Sequence, residues 1–461
     1  MVLSQLQSLQ EDLLAEIGRS VAIASVQEAE EEGAPFGRPV RQALDHALDL
    51  SRRLGFRAVN VGDMAGYAEY GEGPEMVAVL GHLDVVPAGE GWTRDPFGMT
   101  REGNRFYGRG VLDNKGPILT ALFALKAVVE AGWPLRRRVR ILFGCNEESG
   151  CRCMERYVRT EELPVAGFTP DGAYPIINAE KGMINAFCEA PFGGDGPLSV
   201  VSLKGGTAPN IVPSRAEALL CGGAALLDEV LDVVRRWKGP EGSSVEALSR
   251  EEGLLLVAKG LPAHGSMPEK GVNAIACLFD LLGGLPLSGE QESLVEAFNA
   301  LIGRETDGAS LGLALSDALS GALTVNVGTA LAGGGKIAFV LNIRFPVTFA
   351  APDVVASLGK GLSKGGIALA SEFHHDPLYV SPQSELIGKL QKVYLEITHR
   401  EPTLLAIGGG TYAKSMPNVV AFGPVFPGQE FKVHEADEYW TVDDMMVNAR
   451  IMAHAIIELA R

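Results

Sequence analysis

The spacing of apolar positions changes several times along the chain, and each change marks a predicted element. Near the N-terminus Leu6, Leu9, Leu13 and Ile17 recur at helical spacing, which predicts an amphipathic helix docked on a core. Arg38–Arg53 has the same signature, and Ala58–Val61, Met76–Leu80 and Val139–Phe143 are short apolar runs that predict strands. Between the last two lies RGVLDNKGPILTALFALKAVVEAGW, apolar almost all round, which predicts a buried helix. Asp113 or Asn114 can cap it, Pro117 suits its first turn and Gly132 stops it. Strands alternating with helices predict βαβ units and a largely parallel sheet.

After Lys181 the texture changes. LSVVSLKGGTAPNIVPSRAEALL, from Leu198, and LTVNVGTALAGGGKIAFVLNIRF, from Leu323, look like loose copies, each a strand pair joined through a glycine-rich turn. A degenerate internal duplication is one explanation and chance similarity between two hairpins is the other. Helical and strand patterns resume at Ser381 and end in an amphipathic helix, Val442–Ala460. The expected fold class is therefore α/β: a mixed, mainly parallel sheet flanked by helices, built from residues 1–184 and 381–461 and interrupted by an inserted α/β domain, residues 185–380.

Composition narrows the field. Hydrophobic residues make up 46% and charged residues 21%, ordinary for a globular chain, and the formal net charge of −17 argues against nucleic-acid binding, which needs Lys and Arg. No apolar run is long enough for a membrane span. The N-terminus, with Glu11, Asp12 and Glu16, does not read as a signal peptide. The six cysteines match no zinc-binding pattern and are expected to be reduced thiols, which makes the cytoplasm the expected compartment.

The candidate chemistry gathers at predicted strand ends. VLGHLDVVPAGEGW places His82 and Asp84 two residues apart, straight after an apolar run, where side chains i and i+2 face the same way. GRGVLDNKGP adds Asp113, NEESG adds Glu147 and Glu148, TPDG adds Asp171, and KVHEADEYW adds His434. Carboxylates converging at neighbouring strand ends repel one another unless a cation neutralises them. Histidine with carboxylate suits a first-row divalent ion, zinc above all, with manganese or cobalt as alternatives. Two histidines and three carboxylates suffice for a pair of ions if one carboxylate bridges, and such a pair activates water and polarises a carbonyl. Of the adjacent Glu147 and Glu148, one can ligate while its neighbour accepts the water's proton. Asp84 fits a supporting role, orienting His82.

These motifs, GHLDVVPAGEGW, YGRGVLDNKGP, NEESGCRCM, TPDGAYPIINAEKG, GGGTYAKSMPN and HEADE, together resemble the M20 metallopeptidases, most closely the PepV-type bacterial dipeptidases, along nearly the whole chain. The resemblance implies one ion held by His82, Asp113 and Asp171 and a second by Asp113, Glu148 and His434. It implies Asp113 as the bridge, Glu147 as general base and Asp84 as the orienting acid. It also makes the inserted domain a lid: His264 in GLPAHGSMPEKGVNAI would stabilise the oxyanion, and Asn210 in PNIVPSR and Arg344 in NIRFP would hold the substrate's terminal carboxylate. Gly408, Gly409, Gly410 and Thr411 would form a backbone loop facing the same ligand. Asn114 departs from this branch, which often has Asp there, but it does not touch the bridging position. The function implied is hydrolysis of dipeptides with a free C-terminal carboxylate, by a monomer whose larger lid replaces a partner subunit.

Rival readings carry less of the sequence. An N-acyl-amino-acid deacylase or desuccinylase would share the metal chemistry. IGGGTYAKS nearly matches a phosphate-binding loop, yet Ala413 stands where that loop needs glycine, and an NTPase leaves the metal motifs unexplained. A metalloprotein that only binds peptides has no use for the base Glu147. His46, His374, His375, His399 and His454 have no ligand-like company and read as surface or packing residues.

Overall fold

The apolar runs assemble into two compact units in the computed structural model, which describes residues 1–194, 196–430 and 432–461. The first comprises Met1–Ala179, Tyr379–Ala406 and Gly410–Arg461, and the second Glu180–Leu378 and Ile407–Gly409.

In the first unit the strand Met76–His82 is buried at every position, as a strand covered on both faces must be. It pairs in parallel with Arg138–Gly144 on one side and Ala166–Thr169 on the other, and Val419–Ala421 extends the parallel run. Beyond Arg138–Gly144 the sheet turns antiparallel, through Ala65–Tyr70 to Arg57–Val61. The sheet is thus mixed, parallel at its centre, with α/β architecture around it.

The helix Val2–Val21 buries Leu6, Leu13 and Ile17. Lys115–Glu130 is buried on nearly every side, and Gly132 follows it at φ +71°, a conformation glycine adopts without strain. Asn114 stands at the cap position of this helix, but its side chain makes no capping bond and is used elsewhere. The buried Lys115 ammonium donates to the carbonyls of Ser20 (2.8 Å) and Ile23 (2.6 Å). The Ser20 carbonyl lies in the last turn of the first helix, where the helix dipole favours a cation, and Ile23 lies just past its end. No helix among the described residues is long and apolar enough to cross a membrane.

The second unit is built on an eight-stranded sheet in the order Ser244–Arg250, Gly253–Lys259, Arg215–Gly222, Leu198–Gly205, Thr324–Gly333, Lys336–Phe345, Gly182–Pro191 and Ala368–His375. Its neighbours are antiparallel, and its strands alternate: Ile184, Ala186, Cys188 and Ala190 point into the core while Phe187 and Glu189 point out. Helices pack on the inward face, where Phe279 and Phe298 stack with ring centroids 3.8 Å apart.

The two look-alike segments lie side by side here, their first strands paired antiparallel at Leu203 and Ala332. Each hairpin has a register shift at a matching place, near Val200/Ser202 and Val327/Thr329, and each is followed by a thirteen-residue helix, Ala224–Arg236 and Ala351–Ser363. Their connections differ. The second is a tight turn with Gly334 and Gly335 at φ +62° and +78°, the conformation a two-residue hairpin loop requires. The first, residues 206–214, is a longer loop that holds Asn210.

Candidate functional site

Parallel strands deliver their C-terminal ends to one edge of a sheet, which is where α/β folds place ligands. His82 is the last residue of its strand and lies level with Gly144, from which the chain runs on to Glu147 and Glu148. Asp171 follows the neighbouring strand, Ala166–Thr169. Asp113 stands just before the helix Lys115–Glu130, joined to Asn114 by a cis peptide bond. His434 comes from a distant turn and sits at φ +63°, the left-handed region that few non-glycine residues adopt.

These side chains meet. His82 Nε2 lies 3.0 Å from Asp113 Oδ1 and 3.7 Å from Asp171 Oδ2. His434 Nε2 lies 3.0 Å from Asp113 Oδ2 and 3.1 Å from Glu148 Oε2. Asp113 therefore turns one oxygen to each histidine, and two groups share it: His82, Asp113 and Asp171, and Asp113, Glu148 and His434. Ligands about 2.0–2.2 Å from a tetrahedral ion stand roughly 3.3 Å from one another, so the spacing suits nitrogen and oxygen donors around a first-row divalent ion. Glu147 belongs to neither group.

The electrostatics point the same way. Burial pushes Glu148 up to about 7, with repulsion from Asp113 adding to it and His434 opposing it. Burial and then Asp171 raise Glu147 well above the usual carboxylate range, and burial raises Asp171 against the pull of His82. Burial also works against ionised Asp113, but hydrogen bonds from His434 and His82 outweigh it and hold its pKa low. A cluster of carboxylates that resist ionising together is one that a divalent cation would discharge.

Three residues support these side chains, of which the sequence pointed only to Asp84, as the residue that orients His82. Asp84 is buried, and its carboxylate accepts from the main-chain N–H of Glu147 and of Glu148, each at 3.1 Å. It thus orients the glutamate pair, while His82 Nδ1 lies 2.9 Å from the Asp84 carbonyl and 3.6 Å from its Oδ1. Asn114, a departure from the family pattern that does not touch the bridging position, is buried and ties two strand ends together. Its Nδ2 donates to Pro170 O (2.6 Å) and Asp171 Oδ1 (3.3 Å), and its Oδ1 accepts from His82 N (3.3 Å). An aspartate in its place could donate only if protonated.

Glu438 is the third support. Its fully buried carboxylate accepts from the main-chain N–H of Gly110 (3.1 Å), Leu112 (2.9 Å) and Asp113 (3.1 Å) and pairs with buried Arg109 at 2.7 Å. It shapes the loop that presents Asp113. Glu438→Gln leaves Arg109 buried without its counter-charge, so a loss of about 3–5 kcal/mol in stability is expected. Metal affinity should fall about 10–100-fold, as for other outer partners of metal ligands. Chemical denaturation and metal titration check this; a folded variant with unchanged metal affinity would exclude the role.

The remaining candidates lie largely in the second unit. His264 accepts from Ser266, and exposed Asn210 offers its carbonyl to Gly265 N at 2.7 Å. Arg344 is buried, with Nε 3.2 Å from Asn342 Oδ1 and Nη1 3.2 Å from Gly408 O. No carboxylate of the described residues pairs with it, and burial pulls its pKa down to about 10. A planar guanidinium fork has the geometry to meet a carboxylate bidentately. Gly409 lies in the second unit, while Gly410 and Thr411 lie in the first, where Thr411 Oγ1 accepts from Ala413 N (3.1 Å) and caps a short 3-10 turn, Tyr412–Ser415. A phosphate-binding loop leads into a helix N-terminus, so this turn does not have that geometry. The six cysteines are free thiols.

The chain is similar to known proteins along nearly its whole length. The chain is 37% identical over 459 residues, 98% of both chains, to the Bacillus subtilis (strain 168) protein "Putative dipeptidase YtjP". It is 32% identical over 437 residues, 92% of both chains, to a similarly named protein of Staphylococcus haemolyticus. Human carnosine dipeptidase 1 shares the fold at a TM-score of 0.60 with 16% identity, covering 100% of this chain and 98% of that one. The dipeptidase Dug1p of Saccharomyces cerevisiae does so at 0.61 with 14% identity and the same coverage. The model of Peptidase family M20/M25/M40 matches residues 78–458, and the chain belongs to that family.

Proposed function

We propose that this chain is a di-metal dipeptidase of the PepV type that hydrolyses dipeptides bearing a free C-terminal carboxylate. The observation that carries the reading is the shared carboxylate: Asp113 faces His82 with one oxygen and His434 with the other. His82, Asp113 and Asp171 would hold one ion and Asp113, Glu148 and His434 the other, zinc being the best match to the donors. Bound there, the ions would make water nucleophilic at neutral pH and polarise the peptide carbonyl.

The chain's own groups do the rest. Glu147, held by Asp84 but outside both triads, takes the proton from the attacking water and delivers it to the leaving amine as the C–N bond breaks. The second unit acts as a lid in this reading: Arg344 grips the substrate carboxylate, Asn210 and the Gly408–Gly410 loop line its path, and His264 donates to the oxyanion. The matching halves of the eight-stranded sheet support a duplicated lid, and with it a monomer that is catalytically complete.

A substrate screen of purified protein, stripped by chelation and reloaded with zinc, manganese or cobalt, tests the reading. Dipeptides should be cleaved only by the reloaded protein, and C-terminally amidated dipeptides poorly. Arg344→Ala should lower kcat/KM about 10–10²-fold on free dipeptides, the worth of a charge-assisted contact, and leave the amides unaffected. Faster turnover of N-acyl amino acids than of any dipeptide would replace this reading with the deacylase. Activity that survives full metal removal would refute both.

A further inference from the structure

His264 lies in the connection between the strand Gly253–Lys259 and the helix Ala274–Leu282. The backbone around it is pinned on both sides. Val212 N donates to Ala263 O (2.9 Å), Gly265 N to Asn210 O (2.7 Å) and Met267 N to His264 O (2.9 Å). The ring therefore projects from a held main chain, and Ser266 meets its Nδ1 twice, with the hydroxyl oxygen at 2.7 Å and the main-chain nitrogen at 3.3 Å.

A main-chain N–H can only donate. Nδ1 must then be the accepting nitrogen, and in a neutral imidazole the proton sits on Nε2. We propose that Ser266 is a positioning residue whose main-chain N–H and hydroxyl together hold His264 as the Nε2–H tautomer, which makes Nε2 a donor. The chemistry needs this: an oxyanion is stabilised by a donor, whereas the Nδ1–H tautomer would turn a lone pair toward growing negative charge. What the donor serves rests on the dipeptidase reading; the tautomer does not.

Gly408 sets the place of the serine. A Cβ at position 408 would lie 2.8 Å from Ser266 Cβ and 3.2 Å from its Oγ, so any larger residue displaces the hydroxyl. The carbonyl of the same glycine accepts from Arg344 Nη1 at 3.2 Å. One glycine thus seats both the serine behind His264 and the arginine proposed to grip the carboxylate.

The test is nitrogen NMR of the whole protein labelled with ¹⁵N in histidine, the His264 signals being assigned by their absence in His264→Ala. The wild type should show the Nε2–H pattern near neutral pH. Ser266→Ala keeps the main-chain N–H at 3.3 Å but loses the closer hydroxyl at 2.7 Å, so a share of the second tautomer should appear and kcat should fall about tenfold, the worth of one such hydrogen bond, with KM little changed. Gly408→Ala should give the same spectral change with the serine hydroxyl still present. An Nδ1–H pattern in the wild type would overturn the proposal, and this needs no variant to fold. So would a Ser266→Ala protein with wild-type spectrum and kcat. If dipeptides prove not to be substrates, the spectrum still decides the tautomer.

Discussion

Asp113→Ala is expected to bind neither metal ion tightly and to show no measurable peptide hydrolysis. The other proposed ligands each serve one triad; Asp113 alone belongs to both. Its loss also removes the negative charge that lies 3.0 Å from each of the two histidines. Metal activation is worth several kcal/mol of transition-state stabilisation, so a drop of about 10³-fold or more is expected. Elemental analysis per chain, beside kcat, checks it. Glu148→Ala is the control: it should weaken chiefly the ion of the second triad. An Asp113→Ala protein that keeps two ions at wild-type affinity would exclude the bridging role.

Metal removal has a pH signature whose sign follows from the same cluster. Glu148 is raised to about 7 in the metal-free fold, so the fold holds a proton that the unfolded chain releases from about 4.5 upward. Stability of the metal-free protein should fall as pH rises through about 4.5 to 7, where a group with a raised pKa is forced to ionise. Asp113 works oppositely and only at the acid end, its lowered pKa stabilising the fold until acid protonates it. Above neutrality, a bound cation should restore what the metal-free protein loses.

The reach of sequence reasoning divides along physical lines. Met76–His82 was legible because a strand buried on both faces reads as an unbroken apolar run. Ala65–Tyr70, AGYAEY, has no such run, so this strand of the antiparallel flank went unseen although its neighbour at Ala58–Val61 did not. The candidate ligands stood out because each follows a strand or opens a helix, where a polar side chain has no role in packing. Of their supports only Asp84 did, and only as a partner of His82. Asp84 and Glu438 act on main-chain amides, which leave no trace in a side-chain pattern, and Glu438 does so across 325–328 residues. Asn114 was legible as a helix cap by position alone, and the fold spends its side chain on Pro170, Asp171 and His82 instead. The one available hint was that HEADE carries three acidic residues, Glu435, Asp437 and Glu438, with no task of their own.

Glu147→Gln should bind both ions and a dipeptide yet turn over about 10²–10⁴-fold more slowly, the range that a positioned general base contributes. The amide has the size of the carboxylate and keeps the main-chain bond to Asp84 Oδ1, so the turn and its neighbour Glu148 should hold their places. What it lacks is a lone pair basic enough to take the proton of water. Burial, and after it Asp171, already raises Glu147 toward the range in which an acceptor can take a proton at one step and release it at the next. That is the cycle hydrolysis demands: one proton leaves the water as the C–O bond forms, and one reaches the amine as the C–N bond breaks. Calorimetry of dipeptide binding, metal content and kcat separate the base from a ligand. A ligand loss would lower all three together, whereas loss of the base should leave binding and metal content intact. A Glu147→Gln enzyme within a few fold of wild-type kcat would pass the role of base to another residue.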